Sequence, residues 1–212
     1  MRQRGLQTHL ISGGRATCYT CFRPTSHCVC GDITRFTAHT NLLVLQHPNE
    51  WRKYYSTAKL VKQTITNSSL LRGVLFEEHA LTQALSGRRP YMLYPGSGSH
   101  DCEELALTTD DVVIVLDGTW DEAQKIVYRN SMLHSIPKVS FRRSLTSNYR
   151  IRRPPKQGYL STVESVGHFL ALNAVISGKA HMIPTYQGLF ETFNKMIDRQ
   201  LAHLGDLAHF RV

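Results

Sequence analysis

At 212 residues the chain can build one sizeable core, or a core with a small appendage. Its 25 Lys and Arg against 16 Asp and Glu leave a net charge of +9, which points to a polyanionic partner, most often nucleic acid; a basic protein without such a partner has the same balance. No segment approaches the roughly 20 apolar residues that a membrane span needs, and Met1-Arg-Gln-Arg-Gly5 leads into no apolar signal core, so a cytoplasmic chain is expected.

Cysteines come first along the chain. Four of the five lie in one short window, Cys18-Tyr-Thr-Cys21 and Cys28-Val-Cys30, separated by the turn-like Arg23-Pro24-Thr25-Ser26. The window is too short and polar for its own core. In a reducing compartment such clustering indicates metal or redox chemistry before disulfides. Paired cysteines can clasp one tetrahedral Zn2+, so Cys18, Cys21, Cys28 and Cys30 are candidate ligands, with His27 a possible substitute. A redox CxxC normally opens a helix after a strand, and nothing around Cys18 has that pattern. Cys102 stands alone and reads as an ordinary buried thiol.

Strands and helices then alternate. Asn41–His47 is a predicted strand, Ser56–Ile65 a helix, Tyr91–Tyr94 a short strand closed by Pro95-Gly-Ser-Gly-Ser99. Val112–Leu116 is a β-branched run bounded by Asp110 and Asp111, which reads as a strand buried on both faces. Helix Thr119–Arg129, strand Pro137–Phe141, helix Val163–Ile176 ended by Gly178, and a final helix Tyr186–Leu204 complete the pattern. The class is α/β with a mostly parallel sheet. Ligands in such folds bind beyond the carboxyl ends of the strands, where Asp117-Gly-Thr-Trp120 falls.

Thr119-Trp-Asp-Glu122 and Ser161-Thr-Val-Glu164 both match a capping box, and a capped helix start still offers free N–H groups and a positive dipole end to an anion. Asp117 is not needed for the cap, and a carboxylate at the end of a buried strand is costly unless paired or used. GxGxxG, Walker A, HExxH and GxSxG are absent, and the eleven histidines show no metal spacing. Phe141 to Lys156 carries six basic residues and no acid, with Phe141 and Tyr149 as stacking faces. Single-stranded RNA sites combine these properties; a solvated loop, or an Arg binding a small ligand's carboxylate, fits as well.

Asp117-Gly-Thr-Trp120 resembles the signature of the DTW-domain proteins, the tRNA-uridine aminocarboxypropyltransferases. The cysteine cluster with Arg23-Pro24, Leu45-Gln-His-Pro-Asn-Glu50, Leu93-Tyr-Pro-Gly96, Tyr149-Arg-Ile-Arg152 and Leu160-Ser-Thr-Val-Glu164 agree in type and order. The resemblance implies a SPOUT-like sheet flanked by helices with a C-terminal trefoil-type knot. A zinc module at 1–38 would precede a catalytic domain at 39–212. It further implies transfer of the 3-amino-3-carboxypropyl group of S-adenosylmethionine to N3 of a tRNA uridine, with methylthioadenosine as co-product.

On that resemblance Asp117 is the candidate general base or the anchor of the donor's amino group, and Trp120 covers the adenine or stacks on the uracil. Pro95, Gly96, Leu116, Gly118, Thr119, Leu160, Ser161, Thr162 and Glu164 would line the donor pocket. Arg150, Arg152 and Arg153 are the first choice for tRNA phosphates, with Arg142, Arg143 and Lys125 second. A SPOUT-type RNA methyltransferase and a non-catalytic zinc protein that binds RNA are the competing readings; oligomeric state stays open.

Overall fold

The computed structural model describes residues 16–51, 53, 55–151 and 159–209. Strands β1 (Asn41–Gln46), β2 (Ser68–Arg72), β3 (Arg89–Leu93), β4 (His100–Asp101), β5 (Asp111–Asp117) and β6 (Lys138–Ser140) form one sheet in the order β2-β1-β5-β3-β6-β4. Every pairing is parallel, as the alternation of strands and helices predicts. The helices are α1 (Pro48–Trp51), α2 (Thr57–Thr64), α3 (Glu78–Leu85), α4 (Trp120–Arg129), α5 (Thr162–Ile176) and α6 (Ile183–His209).

Two adjacent interior strands, β1 and β5, explain why the sheet is covered on both sides. Alternation along β1 and β5 sends Leu42, Val44, Val113 and Val115 into a core shared with α2, α5 and α6. Leu43, Leu45, Val112 and Ile114 point the other way, to Leu81 and Leu85 of α3 and Ile126 of α4. A strand with two buried faces has to read as a continuous apolar run, which is what made β5 visible. Gly178 ends α5 at φ 67, with Lys179 N–H bonded to the Ala174 carbonyl and Gly178 N–H to that of Val175, the Schellman arrangement.

Some elements differ from the expectation. Strand β2 begins with two serines and lies at the sheet edge, so its apolar content is low. Helix α3 buries only Leu81 and Leu85, one turn apart. Strand β4 has two residues, too few for any periodicity. All three were absent from the sequence reading. The last helix starts at Ile183 and extends to His209, beyond both predicted ends, and packs on α5 and on the cysteine segment. Buried His39 bridges Tyr186 Oη at 2.7 Å and Asn173 Oδ1 at 3.0 Å, and burial pushes its pKa down, so this histidine ties α5 to α6 as a neutral group.

The α5–α6 contact depends on Gly167. A Cβ there would lie 2.5 Å from Phe190 Cζ and 2.7 Å from Cε2, whereas one at Gly188 would meet nothing within 4 Å. Gly167→Ala should therefore destabilise the fold by about 1–3 kcal/mol, while Gly188→Ala should be neutral or stabilise by up to about 1 kcal/mol through helix propensity. Denaturant unfolding of the two variants measures this directly; an unchanged midpoint for Gly167→Ala would refute the packing argument.

Candidate active site at the carboxyl ends of the central strands

Register brings the site together. Gln46 of β1 pairs with Arg72 of β2 on one side and with Asp117 of β5 on the other. Asp117 is only 5% exposed. Gln46 Nε2 donates to its Oδ2 at 2.7 Å, and Thr162 Oγ1, at the start of α5, donates to its Oδ1. Burial pushes the Asp117 pKa up, opposed by the Thr162 and Gln46 bonds and assisted by the charge of Glu50. Gln46 Nε2 also lies 2.9 Å from Ser56 Oγ, so the N-cap of α2 enters the same network.

Gln46 entered the sequence reading inside the predicted strand Asn41–His47 and the Leu45–Glu50 segment, without a role of its own. A usable signal existed: its amide is the polar end of a strand buried on both faces, where an unpartnered amide would be costly. Its partner became visible only with the β1–β5 register.

Both capping boxes form. Glu122 N–H bonds Thr119 Oγ1 at 3.3 Å while Glu122 Oε2 accepts from Thr119 N–H at 2.8 Å. The other Glu122 oxygen meets Asn49 Nδ2 at 2.8 Å and His47 Nδ1 at 3.1 Å, fastening the start of α4 to the loop after β1. Gly118 fits between these parts: a Cβ would sit 2.9 Å from Glu122 Cβ and 3.4 Å from His47 Cβ. Its missing side chain is thus required by the protein's own packing. At the start of α5, Glu164 accepts from Ser161 N–H at 2.8 Å. It also accepts from Asn148 N–H at 2.6 Å and from Ser147 Oγ at 2.9 Å, which pins the basic segment there.

Two adjoining cavities open beside Asp117. The smaller, about 130 Å³, has Glu50, Ser56, Thr57, Asp117, Ser161 and Thr162 in its lining beside the rings of Tyr55, Trp120, Tyr149 and Tyr159. The N-terminal ends of α2, α4 and α5 all reach it, so aligned helix dipoles favour negative charge there. The larger, about 510 Å³, lies between Leu93–Pro95, Leu116 and Phe141–Leu145. Gly118, Thr119, Trp120, Tyr159 and Leu160 belong to both. Trp120 stands at the boundary, stacked on Tyr94 (centroids 5.1 Å apart, planes at 10°) and edge-on to Tyr159 at 6.2 Å.

Of the expected donor-pocket residues, Pro95, Leu116, Gly118, Thr119 and Leu160 line the larger cavity, and Ser161 and Thr162 the smaller. Gly96 and Glu164 line neither; Glu164 is occupied by the cap and by Ser147 and Asn148. Tyr94 and Tyr159, which frame Trp120, carried no role in the sequence reading.

The basic side chains are less available than their sequence suggests. Arg143 makes a two-pronged contact with Glu103 at 2.8 and 2.5 Å, Arg142 reaches Glu104 at 3.3 Å and Asp101 at 3.6 Å, and Arg150 pairs with Asp198 at 2.5 Å. Lys125 is exposed on α4. Arg152 and Arg153 lie outside the described residues.

The sulfurs of Cys18, Cys21, Cys28 and Cys30 all fall within 4.8 Å of one another, with Cys18–Cys30 and Cys21–Cys28 at 3.8 Å. A tetrahedron with Zn–S bonds of 2.3 Å has an edge of about 3.8 Å, so the cluster has dimensions compatible with that ion. His27 is not part of it; its Nδ1 faces Ser26 Oγ at 2.8 Å. At Cys18 burial is outweighed by the backbone hydrogen bonds of Cys21 and Thr20 together with the Cys28 and Cys21 thiols, which hold it down to about 7, while burial and the neighbouring cysteines push Cys28 and Cys30 up. Cys102 is buried alone, its thiol pushed up to about 12 by burial.

The DTW domain matches residues 15–201. The protein named tRNA-uridine aminocarboxypropyltransferase 2 in Macaca fascicularis is 30% identical over 168 residues, 74% of this chain and 56% of its own length. Its counterparts in Mus musculus and Drosophila melanogaster are 29% identical, with 56% and 66% of their own lengths covered. The chain thus spans little more than half the length of the mammalian relatives it matches. No solved structure matches it. With the match running from the cysteine cluster through both capped helix starts and into α6, the chain belongs to the DTW-domain family.

Proposed function

We propose that this protein transfers the 3-amino-3-carboxypropyl group of S-adenosylmethionine to N3 of a tRNA uridine, releasing methylthioadenosine. The observation that carries the reading is Asp117: a buried carboxylate with a raised pKa, held from two sides and facing a small cavity that adjoins a larger one. The names of the relatives supply the group and the acceptor.

The donor brings a carbon already activated by its sulfonium, so the protein's task is alignment and proton removal. The larger cavity is within the size range of small-molecule sites, and Tyr94, Trp120 and Phe141 offer it aromatic and apolar surface for an adenosine. Uridine N3–H is a weak acid. Each Asp117 oxygen receives one hydrogen bond and keeps a further lone pair, so the carboxylate can still accept that proton. Its raised pKa makes it a stronger base than an exposed aspartate. The N3–C bond forms as the C–S bond breaks. The same carboxylate can alternatively hold the donor's ammonium group, and the helix ends at Ser56 and Ser161 suit the donor's carboxylate.

The reading includes a SPOUT-related fold with a C-terminal trefoil-type knot and a cysteine module (1–38) ahead of a catalytic domain (39–212). The parallel sheet with its non-sequential strand order, and α5 starting at the cavities, support the former. It also includes a structural zinc on Cys18, Cys21, Cys28 and Cys30, supported by their spacing. Arg150, Arg152, Arg153 and Lys125 would meet tRNA in the cytoplasm. No described helix is long and apolar enough to cross a membrane.

Asp117→Asn should lower transfer by about 10²–10⁴-fold, scored by methylthioadenosine release with tRNA; retained donor affinity assigns the base role, lost affinity the anchoring role. Appearance of S-adenosylhomocysteine instead would point to a methyltransferase and overturn the proposal.

Gln46→Leu and Thr162→Val each remove a donor that favours ionised Asp117, so the folded-state pKa rises further. The acid limb of kcat/KM, which requires the ionised base, should shift to higher pH in both variants. A limb that stays in place would exclude Asp117 as the titrating group.

Purified protein should contain one equivalent of zinc. Chelation, or Cys21→Ser, should remove it and lower the thermal midpoint by roughly 10 °C or more. Metal-free protein with an unchanged midpoint would count against the zinc assignment.

A further inference from the structure

The described arginines of the basic segment are each matched by an acid, yet another cationic group beside the small cavity is not. Arg72, the exposed last residue of β2, lays its guanidinium on Trp51, with Cζ 3.9 Å from the ring centroid. Lys59 Nζ lies 4.2 Å from the same ring and 5.7 Å from that of Phe22, and donates to the Trp51 carbonyl at 2.7 Å. Neither cation makes a close ion pair with a carboxylate among the described residues, although the charges of Cys21 and Asp117 act on Lys59. Phe22 and Trp51 are themselves 6.1 Å apart, tilted at 54°.

Phe22 is the unusual member. It is 53% exposed and sits at φ 58, the left-handed region that bulky residues rarely adopt. The turn imposes this: Phe22 N–H bonds the Cys18 carbonyl at 2.7 Å, and Cys18 N–H bonds that of Arg23 at 2.8 Å. Folding alone would favour glycine or asparagine at that position. An aromatic ring placed there at conformational cost, half in solvent and close to the Trp51 ring on which the exposed Arg72 guanidinium lies, suits an external π-system with negative charge.

The location fits the site. Arg72 is in register with Gln46, which holds Asp117 one strand further on. Two strand spacings amount to about 10 Å. Trp51 directly follows Glu50 of the small cavity.

We infer that Phe22, Trp51 and Arg72 form a platform on which an unpaired nucleotide flanking the target uridine stacks its base and places its phosphate. The cysteine segment then contributes to RNA recognition through Phe22. This rests on the proposed tRNA substrate. Stacked bases and phosphate-neutralising cations are the two terms by which proteins hold single-stranded RNA.

The test uses the full chain and tRNA. Phe22→Gly removes the ring and relieves the backbone, so the thermal midpoint should hold or rise while tRNA affinity falls by about tenfold. Arg72→Gln should weaken binding and lower the slope of log K against log salt by about one. Wild-type affinity in Phe22→Gly, or an unchanged salt slope in Arg72→Gln, overturns the platform while leaving the tRNA reading intact. If the wild-type protein itself binds no tRNA, the substrate reading falls and the platform with it.

Discussion

The burial of one carboxylate organises the centre of this molecule. Asp117 ends the middle strand of a parallel sheet with almost no exposure, and a lone charge there would cost several kcal/mol. Gln46 and Thr162 offset that cost, and each constrains a different part of the chain. Gln46 can reach only if β1 pairs with β5 in the observed register; a slip of one residue would turn its amide to the opposite face. Thr162 can reach only if α5 begins at the sheet's carboxyl edge. Sheet register and helix placement are therefore coupled through a single side chain.

The capping glutamates do the same for the loops. A capping box needs one carboxylate oxygen for the N-cap amide, and the rest of the group is free for other partners. Glu122 uses it to hold Asn49 and His47 after β1, and Glu164 to hold Ser147 and Asn148 of the basic segment. Gly118 then follows as a packing necessity, since any side chain would press on Glu122 and His47. All four residues of the Asp-Gly-Thr-Trp signature line a cavity, and Gly118 and Thr119 in addition build the helix start.

Much of this was legible in the sequence because its causes are local. A strand buried on both faces must be uniformly apolar, and a capping box is a pattern within four residues, so β5, α4 and α5 could be read directly. The clustering of the four cysteines could be read from spacing for the same reason. Residues whose roles depend on distant partners were not legible. Edge strand β2 pairs through its backbone and needs few apolar side chains. Gln46 acquires meaning only opposite Asp117. The arginines looked free because Glu103, Glu104 and Asp198 lie about forty residues or more away, beyond any local pattern. Charge counted along a segment overstates what a folded surface presents.

The cysteine segment is joined to this centre by a definite set of contacts. Asp32 pairs with Lys195 at 3.2 Å and Arg199 at 2.7 Å, and Arg199 also bonds the Cys28 carbonyl, so the segment is docked on α6. Arg23, within the turn, is 1% exposed and donates to the Ser56 carbonyl at 3.3 Å. Its Nε and Nη1 have no hydrogen-bond partner, an expense that argues for a position set by more than packing. Ser56 is the N-cap residue of α2, and its hydroxyl meets the same Gln46 amide that holds Asp117. Arg23, Ser56, Gln46 and Asp117 thus form a continuous polar line from the cysteine turn to the buried carboxylate. The turn is thereby tied to the Gln46 bond, which opposes the rise that burial imposes on the Asp117 pKa.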